Sequence, residues 1–348
     1  MMMTQETILE ALKKVFYFPK RDNVVALNMI RNIRVDGNEI SLTLLFPEKD
    51  EKNENIVRDT CINTLKELAG KDAKITIDVG VPVDPLAKVK HVIAVASGKG
   101  GVGKSTVSVN LAVALSQLGA KTGIIDADIY GPSIPMMFDL IEAKPEVKEK
   151  DGKTIIIPVE KYGIKVLSIG FFVDQSQALI WRGPMASNAL SQLFNDSEWG
   201  ELDYLVVDLP PGTGDIQLTL AQQIAVSGIV IVSTPQEVAL ADARKAFSMF
   251  NQENIRIPIL GLVENMSYFT PAELPDNKYY IFGKEGGKKL AEQSNVPFLG
   301  QIPLVQSVCE AGDRGVPSAM EENSIISKAF LELARNIKNE VSKIKQPK

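Results

Sequence analysis

Apolar and polar positions along this chain follow two different rhythms. Between residues 4 and 80 the apolar positions are interleaved with polar ones. Residues 4–15 space them as a helix does, and 24–34 and 39–46 read as two strands joined at the Asp36–Gly37 turn. Residues 55–68 predict a second helix and 74–79 a third strand, while the charged run from Pro47 to Asn55 predicts a solvated loop. Residues 81–90, flanked by Gly80 and containing Pro82 and Pro85, read as a linker. From residue 91 the rhythm changes to solid apolar blocks. Strands are expected at 92–96, 122–126, 164–168, 204–208, 228–232 and 258–263. Helix-length segments at 105–118, 185–194, 216–226 and 240–252 lie between them, and 323–343 predicts a last helix with a lysine-rich end. The expected architecture is therefore a small α+β module over residues 1–80, the linker, and over residues 91–348 an α/β domain with a mostly parallel, doubly wound sheet. Ligands of such a sheet bind where its strands end.

Composition narrows the chemistry. The chain has 348 residues and a net charge of −5, which offers no electrostatic footprint for nucleic acid. No apolar run is long enough to span a membrane, and the N-terminus lacks the features of a secretion signal. Two cysteines, Cys61 and Cys309, make no disulfide framework and suit a cytoplasmic protein. The lone histidine, His91, argues against a multi-histidine metal site and is read as structural. Both cysteines are expected to be small buried hydrophobes.

Residues 98–106, Gly-Lys-Gly-Gly-Val-Gly-Lys-Ser-Thr, follow a predicted strand and open a predicted helix. This is the pattern and the context of a phosphate-binding loop. Glycines let main-chain N–H groups turn inward on an anion, and the helix N-terminus adds its dipole. The backbone of Gly98, Gly100, Gly101, Val102, Gly103, Lys104, Ser105 and Thr106 is thus expected to cradle the phosphates of ATP. Lys104 would meet the β- and γ-phosphates, and the Ser105 hydroxyl would ligate Mg²⁺. Two apolar strands end in carboxylates. Asp208 is the expected second Mg²⁺ contact, Asp128 the expected guide of the attacking water, and Asp126 is equally well explained by structural hydrogen bonds. Pro210, Pro211 and Gly212 read as a loop able to move when the γ-phosphate leaves.

Lys99, inside the loop, makes it a deviant Walker A motif, which resembles that of the MinD/ParA class of dimeric ATPases. The resemblance implies a homodimer in which Lys99 reaches the partner's nucleotide. Asp126–Pro135, Trp181–Met185, Asp208–Asp215, Val263–Ser267 and Ala311–Pro317 resemble the Mrp (ApbC-like, Nbp-type) branch over residues 90–335. The first 80 residues resemble the PaaD/SufT-like module. The branch implies an ATPase that carries iron–sulfur clusters between an assembly scaffold and apo-proteins, with Asn265 facing the adenine. It also implies a Cys-x-x-Cys pair shortly after Asn265–Ser267. Residues 266–283 hold no cysteine here, and Glu273 and Asp276 are read as solvated charges. The competing expectation is a ParA/MinD-like positioning or scaffold switch without a cluster.

Overall fold

The computed structural model describes residues 4–47, 49–81, 86–150, 153–172, 183–214, 217, 220, 224, 226–252, 255, 257–271, 273–274 and 277–344. The chain divides into two compact units, Met1–Asp84 and Pro85–Lys348.

In the first unit, helix α1 (Gln5–Leu12) starts at Thr4, whose hydroxyl accepts from Thr7 N in a capping box. Strands β1 (Ile30–Asp36) and β2 (Glu39–Leu45) pair antiparallel, and β3 (Lys74–Gly80) lies parallel to β2, with α2 (Glu51–Ala69) between them in sequence. Ile40, Leu42 and Leu44, alternating along β2, face Ile8, Leu12, Val57 and Leu65 of the two helices. Two expectations need correction. The strand expected from residue 24 begins only at Ile30, because the Asn23 side chain accepts from Val25 N and Ala26 N and turns the chain. The charged run after Pro47 is not all loop. Asp50 caps a helix that starts at Glu51, accepting from Asn53 N while its own N–H donates to Glu54.

In the second unit, the sheet strands are β4 (Val89–Ala96), β5 (Thr122–Asp126), β6 (Val159–Lys161), β7 (Ile164–Ser168), β8 (Leu202–Asp208), β9 (Gly228–Ser233), β10 (Ile259–Glu264) and β11 (Phe298–Gln301). Among the described residues these form one sheet in the order β6-β7-β5-β8-β4-β9-β10-β11, parallel except for β6. The period of two sorts each strand between two cores. Ile93 and Val95 face α3 (Lys104–Gln117) and the C-terminal helix Ile325–Lys343. Val92, Ala94 and Ala96 face the layer of α4 (Gly183–Asn195), α5 (Glu237–Phe250) and α6 (Gly286–Gln293). This is the expected α/β architecture, a mostly parallel sheet covered on both faces.

Strand β4 starts inside the expected linker, at Val89, with Leu86 already packed on the core. Strand β11, edge strand β6, helix α6 and a separate hairpin of Glu146–Lys150 with Lys153–Ile157 had no expectation at all. The first hairpin strand is charge-rich and β11 is four residues long, so neither carries a period strong enough to read. Of the helix expected at 216–226, only Gln217 and Leu220 are described as helical; most of the segment, like Trp181 and Arg182, lies outside the described residues.

Candidate nucleotide-binding site

The phosphate loop leaves the end of β4, the strand flanked by β8 and β9, and enters α3 at Lys104. Its glycines do different work. A Cβ on Gly98 would sit 2.2 Å from the carbonyl carbon of Asp242 in α5, so the loop can lie against that helix only without a side chain. Gly103, at φ +79°, would put a Cβ 2.2 Å from Asn265 Nδ2. Gly100 and Gly101 face open space instead, and Gly101 is also left-handed at φ +81°. The loop is therefore packed tightly on one side and open on the other, where an anion would meet its amides.

Three chain segments converge behind it. Lys104 Nζ donates to Asp208 Oδ2 at 2.6 Å, and so does Ser105 Oγ, at 2.6 Å. Ser108, one turn further along α3, donates to Asp208 Oδ1 at 2.6 Å. Asp128 Oδ2 lies 3.9 Å from Lys104 Nζ. Lys104 is 5% exposed and Asp208 0%, so these contacts act with little solvent screening. Asp126, also fully buried, accepts from Asp128 N, Ile134 N and Ser168 Oγ, which ties the end of β5 to β7 and to the turn that follows. Burial and the nearby Asp208 push the Asp126 carboxyl up to about 7, while Lys104 and the backbone donors pull the other way. Burial also raises Asp128, against the pull of Lys104. Three carboxylates thus share one ammonium. That deficit of positive charge, with a hydroxyl and a carboxylate side by side at Ser105 and Asp208, suits a hard divalent cation with oxygen ligands.

The structure places the remaining expected residues as follows. Asn265, buried at the end of β10, donates from Nδ2 to Val102 O at 2.9 Å and so braces the loop. Lys99 is half-buried, and its ammonium has no hydrogen bond or ion pair among the described residues. The loop of Pro210 and Pro211 is pinned: Gln217 Nε2 donates to both of their carbonyls, and Gly212 N donates to Ser97 O. Ser108 was not expected in the site. Its spacing from Ser105 on a helix that opens at the loop was the available signal. His91 stacks near Tyr204 with ring centroids 5.4 Å apart, and burial lowers its pKa.

The cysteines lie in different units. Cys61 is buried, and burial pushes its thiol up to about 12, which disfavours the thiolate. Cys309, expected to be buried, is exposed on helix α7 (Gln306–Asp313). That helix is amphipathic and buries Ala311, and Cys309 falls on the opposite side. Glu273 is exposed; Asp276 lies outside the described residues.

The family of NUBPL iron-transfer P-loop NTPases (ParA) matches residues 88–338, most of the chain. The chain belongs to this family. An iron–sulfur cluster assembly protein family matches residues 5–77. An iron–sulfur cluster carrier protein of Synechocystis is 42% identical over 98% of this chain and 99% of its own. The Arabidopsis iron–sulfur protein required for mitochondrial NADH dehydrogenase is 51% identical over 72% of this chain and 78% of its own. Among solved structures, a nucleotide-binding protein of Archaeoglobus fulgidus in complex with ADP is 39% identical, covers 71% of this chain and 94% of its own, and superposes with a TM-score of 0.60. MinD of Pyrococcus horikoshii, complexed with Mg-ADP, is 21% identical with a TM-score of 0.53 and covers 74% of this chain and 99% of its own; it shares the fold. No helix among the described residues is long and apolar enough to cross a membrane.

Proposed function

We propose that this NUBPL-type P-loop protein binds and slowly hydrolyses ATP, and uses that cycle to move iron–sulfur clusters to apo-proteins. One observation carries the nucleotide half of this reading: a buried ammonium, a hydroxyl and a carboxylate meet at the open mouth of a glycine loop. The amides of Gly100–Thr106 hold the phosphates. Lys104 leaves Asp208 for the β- and γ-phosphates as ATP enters, since the phosphates offer more negative charge than one carboxylate. Ser105 and Asp208 hold Mg²⁺, which when bound offsets the charge of the phosphates and the acid cluster. Asp128 accepts from the attacking water, and burial, which raises its carboxyl above the usual carboxylate range, favours its taking up that proton. Asn265 has an amide oxygen and a second N–H left for the adenine edge after bracing Val102. Lys99, whose ammonium has no partner among the described residues, acts across a homodimer interface on the second subunit's ATP, as an arginine finger does.

The cluster half rests on family membership and on relatives described as cluster carriers. The cluster is cargo here. One buried and one exposed thiol in separate units give no thiolate pair on one loop, so the partner supplies most of the ligands during transfer.

Isothermal titration with MgATP, turnover by phosphate release and anaerobic cluster transfer to an apo-protein test the reading. Lys99→Ala keeps the ATP affinity and loses on the order of 10³ in turnover, the low end for a missing finger residue. Normal turnover in Lys99→Ala removes the cross-dimer role. ATP turnover with no effect on transfer leaves a nucleotide switch of the ParA/MinD kind.

A further inference from the structure

The segment that follows Asn265 presents a surface of a different character from the nucleotide site. Phe269 and Tyr279 exchange two backbone hydrogen bonds of 2.8 Å, closing the chain into a loop. At its far end Gly286 packs so closely on α5 and its approach that a Cβ there would lie 2.6 Å from Pro235 O. Gly287 N donates to the fully buried Glu264 at 2.6 Å, and Gln301 Nε2 donates to the same carboxylate at 2.9 Å. The second foot of the loop is thus fixed to the end of β10 and to β11, and at the first Leu304 N donates to Tyr268 O at 2.8 Å. Between them, Tyr279, Tyr280 and Ile281 are exposed in succession, Ile281 at 59%. Single exposed apolar residues are ordinary, but three together on a braced loop make a contact patch. Two ammonium groups lie in the same cluster: Lys278 Nζ is 4.1 Å from the Tyr268 ring centre and Lys284 Nζ 5.1 Å from that of Tyr280. Tyr268 and Tyr280 meet edge to face at 6.4 Å. Cation–π contacts hold the lysines in place at little further entropic cost on binding. From Asn277 to Lys289 the chain carries four lysines and one glutamate, although its net charge is −5. The patch therefore runs against the charge of the molecule.

We propose that this aromatic–lysine patch docks an acidic protein segment with an apolar centre, carried by the apo-protein that receives the cluster. The apolar centre would seat on Tyr279–Ile281, and its carboxylates would meet Lys278 and Lys284 at the rim, steering the encounter. A second copy of this chain, or single-stranded nucleic acid stacking on the tyrosines, is the rival occupant. This inference rests on the proposed carrier function, since it names that function's partner.

The test uses the full chain with an acidic apo-ferredoxin as probe, its binding measured by surface plasmon resonance at low and high salt. Wild-type chain binds, and binding weakens as salt rises. The pair Lys278→Glu/Lys284→Glu, and separately Tyr279→Ala/Ile281→Ser, each weaken it roughly tenfold or more. Both leave the MgATP affinity unchanged, which also reports that the variants fold. Absent binding by the wild-type chain overturns the proposal, as does equal binding by the variants. So does a shift in oligomer mass in either variant, or tighter capture of an oligothymidine than of the apo-ferredoxin. Cluster transfer is scored in a separate assay. Transfer with unaltered variant binding defeats this inference alone, and absent transfer with patch-dependent binding defeats the carrier reading alone.

Discussion

Strand β8 carries an aspartate near each end, and each pairs with a lysine from the neighbouring β4–α3 segment. At the start, Asp203 accepts from Lys90 at 2.7 Å; at the finish, Asp208 accepts from Lys104 at 2.6 Å. The distances are alike, and the surroundings are not. The Lys90 side chain is 69% exposed and that of Lys104 5%. The first pair exchanges solvent contacts for each other with little gain. The second has lost its water, is braced by two serines and shares its field with two more carboxylates, so each partner depends on the other. The same two residue types make a solvated pair at one end of a strand and a buried, coupled cluster at the other. Burial and neighbours make the difference.

The sharpest way to break that contrast is Lys104→Ala. It should weaken MgATP binding about 100-fold or more by titration calorimetry, because two charge-assisted contacts to phosphate are lost together. Next comes Gly98→Ala, which pushes a methyl into the backbone of α5. It should cost about 3 kcal/mol in chemical denaturation, the upper end for overpacking, with nucleotide binding falling alongside. A pH series separates the two ends further. The Asp126 carboxyl titrates near 7 when folded and near 3.8 when unfolded, so between these values the folded chain binds more protons. Stability of the nucleotide-free chain should therefore fall as pH rises from about 4 to about 7 and level off above, and Asp126→Asn should flatten the slope. Thiol labelling gives a smaller effect of the same kind: Cys309 should react with a maleimide in the native chain and Cys61 only after unfolding. Least of all, Lys90→Ala should leave the melting temperature and the MgATP affinity where they are. A large loss there would erase the distinction between the two ends.

The phosphate loop was legible because its chemistry is local. Nine consecutive residues carry the turn, the amides, the ammonium and the hydroxyl, and the flanking apolar runs supply strand and helix. Strands 122–126 and 164–168 were legible to the residue, each centred on a pair of buried aliphatic residues, Ile124–Ile125 and Val166–Leu167. The strand expected over 24–34 misled. Val24 and Met29 are both buried in the core of their unit, but a turn led by the Asn23 side chain, not an extended chain, brings them there. Cys309 misled likewise: the residue before it, Val308, is apolar, while the helix that carries it turns a different side inward.

The order of residues by itself determined that an anion-binding loop opens a helix after a buried strand, that alternating blocks build a parallel sheet, and that no thiolate pair follows Asn265. It did so because those properties depend on neighbours in the chain. Only the folded molecule decided that Ser108 and Lys104 both reach Asp208, and that Asn265 fills the space left by Gly103. Those contacts join residues far apart in sequence. Strand order and loop packing bring them within reach, and the short-range periodicity of a sequence carries no record of either.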